Sequence, residues 1–168
     1  PLLAAPLWRL AGDDLELGYR LVQGMHALAV SLVAVPVYLI GRRIGLSARW
    51  SLCCAALALL FPAGILSTYV MADAVAWPLA LGAVAAGVAA LDRPGWKPQL
   101  AFLGLAGLAT AARVQYVFLP LAYLGAACVV ERFRLRRTFR LHLVVAAPLV
   151  AAVPLALAAG PEKVLGYY

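Results

Sequence analysis

The sequence predicts an all-α, polytopic membrane helix bundle of about six spans, forming a single transmembrane domain over residues 1–168. Three observations carry that expectation. Hydrophobic residues make up 65% of the 168 and the mean hydropathy is +0.94, whereas a soluble domain averages about 45–50% apolar residues. A chain this small has too much surface to hide the excess in a core. The apolar residues also fall in six runs separated by short connectors. Finally, the charges (14 Lys+Arg against 7 Asp+Glu, net +7) collect in those connectors, and they do so unevenly.

The first run extends from about Tyr19 to Ile40 and stops at Gly41-Arg42-Arg43. The second covers about Trp50 to Val70, and the third about Ala74 to Leu91, ending at Asp92-Arg93-Pro94-Gly95. The fourth covers Gln99 to Ala112, the fifth Tyr116 to Val130, and the sixth Leu141 to about Ala159. A spanning helix needs about 20 residues, within a range near 17–25. The first, second, third and sixth runs meet this, while the fourth and fifth are short. Pro36, Pro62 and Pro120 are candidate kinks within or beside the runs.

Merging the fourth and fifth runs would give one helix of 32 residues, roughly 48 Å long at 1.5 Å per residue. That overshoots a hydrocarbon core of about 30 Å, and it puts Arg113 and Gln115 near mid-bilayer at a cost of several kcal/mol. A hairpin of two short helices turning at Arg113-Val114-Gln115 avoids both penalties. With six spans the connectors alternate sides. Ten basic residues then share one side, including Arg42, Arg43, Arg93, Lys97 and the "ERFRLRRTFR" block, against four on the other: Arg9, Arg20, Arg113 and Lys163. The positive-inside rule makes the first side cytoplasmic. Asp73, Arg113 and the N-terminal acids Asp13, Asp14 and Glu16 then face outward.

No basic stripe with interleaved aromatics is present, so nucleic acid is not an expected partner. Cys53, Cys54 and Cys128 lie in apolar runs, show no metal-ligand spacing, and read as small packing residues. "PLLAAPLWRLAGDD" lacks a basic n-region and is too short to span, which reads as a fragment without its natural N-terminus and not as a signal peptide.

A few polar residues stand out against this background. Asp73 lies between the second and third runs, either as an N-cap on the following helix or as an acid aimed into an extracytoplasmic cavity. Arg113 and Gln115 occupy the tip of the hairpin. A guanidinium there either snorkels to headgroups or pairs with Asp73 or a phosphate, whose oxygens suit its planar fork. His26, with Gln23 one turn earlier, reads as an interhelical hydrogen-bonding group. Asp13-Asp14 reads as a helix cap. Trp50, Tyr69, Trp77, Trp96 and Tyr116 lie near run ends as an aromatic belt would, and Trp77 and Tyr116 are also placed to line a sugar site. Arg132 to Arg140 read as a topology determinant that touches anionic lipid.

The segments "YRLVQGMHALAVSLVAVPVYLIGRR", "VMADAVAWPLAL" and "ATAARVQYVFLPLAYL" resemble bacterial polyprenyl-phosphate-dependent glycosyltransferases of the GT-C superfamily. These are relatives of protein O-mannosyltransferases and of the lipid-A aminoarabinose transferase. In similar members an acid after an outward-running span is followed five positions later by Pro, here Asp73 and Pro78, and a later Arg-Val-Gln turn matches Arg113-Val114-Gln115. The Thr-Glu common before that Pro reads Ala72-Asp73 here. The resemblance implies a multi-pass bundle in the bacterial cytoplasmic (inner) membrane, with its site facing outside. The donor would be a polyprenyl-phosphate-linked sugar entering from the bilayer, and the acceptor an extracytoplasmic glycan, lipid or protein. No further cofactor is evident in the sequence, and with no ligand cluster visible it does not decide metal dependence.

In such a site transfer proceeds with inversion, a carboxylate activating the acceptor while cations hold the leaving phosphate. The resemblance assigns Asp73 to hydrogen-bonding or orienting acceptor or donor, Arg113 to the donor phosphate with Gln115 assisting, and Tyr116 and Trp77 to the sugar. It puts the principal base on an extracytoplasmic loop upstream of Pro1, so that the fragment alone would be inactive. A transporter or permease fragment and a non-catalytic membrane scaffold are the alternatives; a transporter would show inverted repeats and broken helices, and neither is visible in the sequence beyond the candidate kinks at Pro36, Pro62 and Pro120.

Overall fold

Alanine and leucine, both strong helix formers, dominate the apolar runs, and the chain follows them. The computed structural model describes residues 5–60 and 73–159, apart from the side chains of Asp73 and of residues 152–159. Among the described residues every regular element is helical: α1 (Ala5–Ala11), α2 (Leu15–Ser31), α3 (Ala34–Arg43), α4 (Ala48–Leu60), α5 (Asp73–Asp92), α6 (Trp96–Ala112), a 3-10 helix (Val114–Phe118), α7 (Leu119–Val130), α8 (Leu135–Leu141) and α9 (Leu143–Ala159).

The first run is longer than its apolar core suggests, and it is jointed. Asp14 starts α2 by accepting a hydrogen bond from Leu17 N at 2.9 Å, which satisfies one of the donors a helix start leaves open. The helix breaks at Leu32–Val33 because Pro36 has no N–H to offer the Leu32 carbonyl; Val35 N bonds that oxygen instead, at 3.2 Å. A tight turn with Gly45 at φ 90° then leads into α4. The α3–α4 crossing is close: a Cβ on Gly41 would lie 2.9 Å from Ser51 Oγ.

Helices α5 and α6 form the most extensive pair in the bundle. They are antiparallel, joined by Arg93-Pro94-Gly95. The buried positions are Ala74, Ala76, Ala80, Ala83, Ala85, Gly87 and Ala90 on α5, and Gln99, Phe102, Ala106 and Ala109 on α6. On α6, and on α5 from Ala76 through Ala80, Ala83 and Gly87 to Ala90, alternating steps of three and four trace the seam of left-handed knobs-into-holes packing; Ala74 and Ala85 lie off that line, Ala74 packing against Val30 of α2. Small residues on that seam let the backbones approach, which is how helices associate where lipid removes the hydrophobic drive.

The α6–α7 hairpin turns at Arg113, whose backbone is extended (φ −153°, ψ 114°). Phe102 and Tyr123, on the two arms, stack with ring centroids 4.6 Å apart. Gly87 lies beneath both rings, and a Cβ there would touch each at 3.3 Å. Val145 of α9 completes this core.

The basic connectors gather at one end of the bundle. Arg43 bonds Asp92 at 3.1 Å, and Gln99 Nε2 donates to the Leu141 carbonyl at 2.7 Å. Residues 41–49, 92–97 and 131–141 therefore share that end.

The flanks are apolar. Leu28, Leu57, Val84, Leu108, Leu121 and Val150, from six different helices, are all exposed. Among the described residues two stretches are long and apolar enough to cross a membrane, Leu15–Arg43 and Ala74–Asp92, with only 28% and 39% of their most apolar windows buried in the protein. A core helix of a soluble domain would be mostly covered; here the uncovered apolar surface is of the kind that lipid covers.

Candidate functional site

The hairpin end, opposite the basic connectors, holds the residues singled out for chemistry. Its geometry follows from the α5–α6 register. Gly82 faces Leu105, and Gly87 faces Phe102. That antiparallel register places residue 77 level with residues 110–112, so the start of α5 and the end of α6 lie at the same end of the bundle. Asp73 is the first residue of α5, and its side chain lies outside the described residues.

Arg113 caps α6, its N–H donating to the Ala109 carbonyl at 2.8 Å, while its own carbonyl accepts from Tyr116 N at 3.1 Å. It is half-buried and engaged in an interaction. Around it the turn leaves an open recess of about 700 Å³, walled by Thr110, Arg113, Val114, Gln115 and Phe118 among others. Pockets for small ligands run from about 300 to 1,000 Å³. The recess thus joins Arg113 with Gln115. Tyr116 is half-buried in the same turn but is not among its walls, and Trp77 is 48% exposed on the flank of α5, off the seam.

The remaining singled-out residues have plainer placements. Asp14 is a helix cap, as the sequence suggests for one of the Asp13-Asp14 pair. His26 is buried, and its Nδ1 has no hydrogen-bond partner among the described residues. The three cysteines are free, Cys53 exposed and Cys54 and Cys128 half-buried. Trp50 and Trp96 are exposed at the basic end, Lys97 lying 5.6 Å from the Trp96 ring. Tyr69 and Pro62 lie outside the described residues.

A polar cluster that the sequence reading passes over lies at the basic end. Tyr123 Oη and His142 Nδ1 are 2.7 Å apart, with both side chains buried. Gln99, also buried, holds the Leu141 carbonyl through Nε2, and its Oε1 has no partner among the described residues. Thr138, one turn before His142, donates to the Arg134 carbonyl at 3.2 Å. The cluster ties α6, α7 and the α8–α9 junction together. The available signal was three polar side chains in or beside otherwise apolar runs, which must find partners when buried.

No protein-family model, curated protein or solved structure matches the chain significantly.

Proposed function

We propose that the chain is a six-span bundle of the bacterial cytoplasmic membrane and the membrane part of a polyprenyl-phosphate-dependent glycosyltransferase, with its site at the hairpin end facing outside. The observation that carries this reading is the α5–α6 register, which puts the start of α5, with Asp73, at the same end of the bundle as the Arg113 turn and its recess, away from the basic connectors. Several features support the orientation. The connectors richest in Lys and Arg share the opposite end, as a cytoplasmic face would. Helix α6 has 17 residues, about 25 Å at 1.5 Å per residue, so the hairpin tip sits slightly below the surface of a hydrocarbon core about 30 Å thick. An arginine at that depth is suited to a phosphate that is itself anchored in lipid.

In this reading Arg113 neutralises the phosphate that leaves the sugar, and Gln115 hydrogen-bonds the same group. Asp73 accepts a hydrogen bond from an acceptor or sugar hydroxyl. Tyr116 and Trp77, at the same end of the bundle, border the sugar and the lipid. The test is sugar transfer from a polyprenyl-phosphate donor in membranes carrying the full gene product. Asp73→Asn and Arg113→Ala are each expected to lower turnover by roughly 100-fold or more, with Arg113→Lys retaining part of it. Unchanged turnover at normal expression would remove both assignments.

A further inference from the structure

We propose that residues 131–141, at the basic end, form a docking surface for anionic phospholipid, in which arginines bind headgroup phosphates while Phe133, Leu135 and Phe139 enter the headgroup–acyl boundary. Arg132, Arg134, Arg136 and Arg140 are exposed, and none has a carboxylate within ion-pair range among the described residues; Arg137 alone is held, by Glu131 at 2.6 Å. Between them Phe133, Leu135 and Phe139 are exposed as well, Phe133 by 74%. Basic and large apolar side chains interleaved on one short segment suit the interfacial zone of a bilayer, where each finds its own medium.

The backbone holds this arrangement open. Arg132 and Phe133 both lie in the left-handed region, at φ 51° and 59°, which non-glycine residues rarely adopt. The turn is closed by Phe133 N donating to the Cys128 carbonyl at 2.7 Å. The segment cannot roll over to hide its apolar residues. Thr138 and His142 face inward and are buried, and Gln99 grips the Leu141 carbonyl.

A leaflet is favoured over a soluble acidic partner because the pattern recurs on the neighbouring connectors. Exposed Trp50 follows Arg49, and exposed Trp96 precedes Lys97, both at the same end. Basic–aromatic pairs spread across three connectors fit an extended planar surface better than a single ligand.

The inference needs the bilayer but not the sugar chemistry, so its failure and that of the transfer reading are separable. The experiment reconstitutes the full chain in phosphatidylcholine bilayers containing a minority of phosphatidylglycerol and measures association of spin-labelled lipids of each class. The native chain should prefer the glycerol lipid by roughly five-fold, the equivalent of one retained arginine–headgroup contact. Arg134→Gln/Arg136→Gln/Arg140→Gln should bring the preference close to unity with helicity intact, whereas Arg9→Gln/Arg20→Gln should leave it in place. A nitroxide at Phe133→Cys, with the three native cysteines replaced by alanine, should be reached by oxygen and shielded from a water-soluble nickel chelate. Absence of preference in the native chain, a preference untouched by the triple change, or a label freely open to the chelate would each overturn the proposal.

Discussion

Tyr123→Phe is the sharpest probe of the bundle, because it removes one oxygen and leaves everything else in place. The ring remains stacked on Phe102 and packed over Gly87, but His142 Nδ1, in a side chain only 1% exposed, loses the group 2.7 Å away. Stranding a buried polar atom costs about 1–3 kcal/mol. In lipid the figure shrinks, because the separated helices find other partners, and interhelical bonds there average nearer 0.6 kcal/mol. The expected loss is therefore about 1 kcal/mol. His142→Leu strands the tyrosine hydroxyl in the same way and also disturbs packing. The two changes together remove both ends of the bond, so the double variant should be more stable than the sum of the single losses by about 1 kcal/mol. The assay is reversible unfolding in mixed micelles titrated with sodium dodecyl sulfate, followed by circular dichroism. Independent sites add to within about 0.3–0.5 kcal/mol; a coupling inside that band would refute the hydrogen bond.

Gly87→Leu forces a branched side chain against Phe102 and Tyr123, whose rings already lie 3.3 Å from where a Cβ would sit. The expected loss is about 1–3 kcal/mol from overpacking, read in the same titration, while Gly104→Leu, where a Cβ meets nothing within 4 Å, should cost far less. The topology is tested by single cysteines in a cysteine-free background. Val114→Cys should react with an impermeant maleimide added to intact spheroplasts, and Arg136→Cys only after permeabilisation; reaction of both or the reverse pattern would overturn the proposed six-span arrangement.

The positions of the longer helical segments were readable from hydropathy, but the short α1 and α8 lie outside the apolar runs and were not; the turn at Arg113 was readable because a charge interrupts two runs too short to cross on their own. The α5–α6 seam was not. Alanine and glycine occupy every face of those helices, so burial follows a 3.5-residue period that leaves no trace in hydrophobicity. The joint at Leu32–Val33 shows in the sequence only as Pro36, which is equally compatible with an unbroken helix carrying a mild bend. The Tyr123–His142 contact links residues 19 apart on different elements, and neither has a local signature. At the candidate site the sequence supplied the residue types, and the helix register puts the start of α5 and the Arg113 turn at one end of the bundle. Gln115 lines the recess beside Arg113, while Trp77 and Tyr116 share only that end.

The alanine seam also bears on how the chain is made. A methyl side chain has no rotamers to freeze, so along most of the seam zipping α5 against α6 gives up backbone freedom alone, with Gln99 and Phe102 the exceptions. The three-residue connector keeps the closing loop short. This pair is thus fitted to assemble as soon as both strokes of the hairpin have emerged, and to serve as the template on which the later, bulkier helices settle.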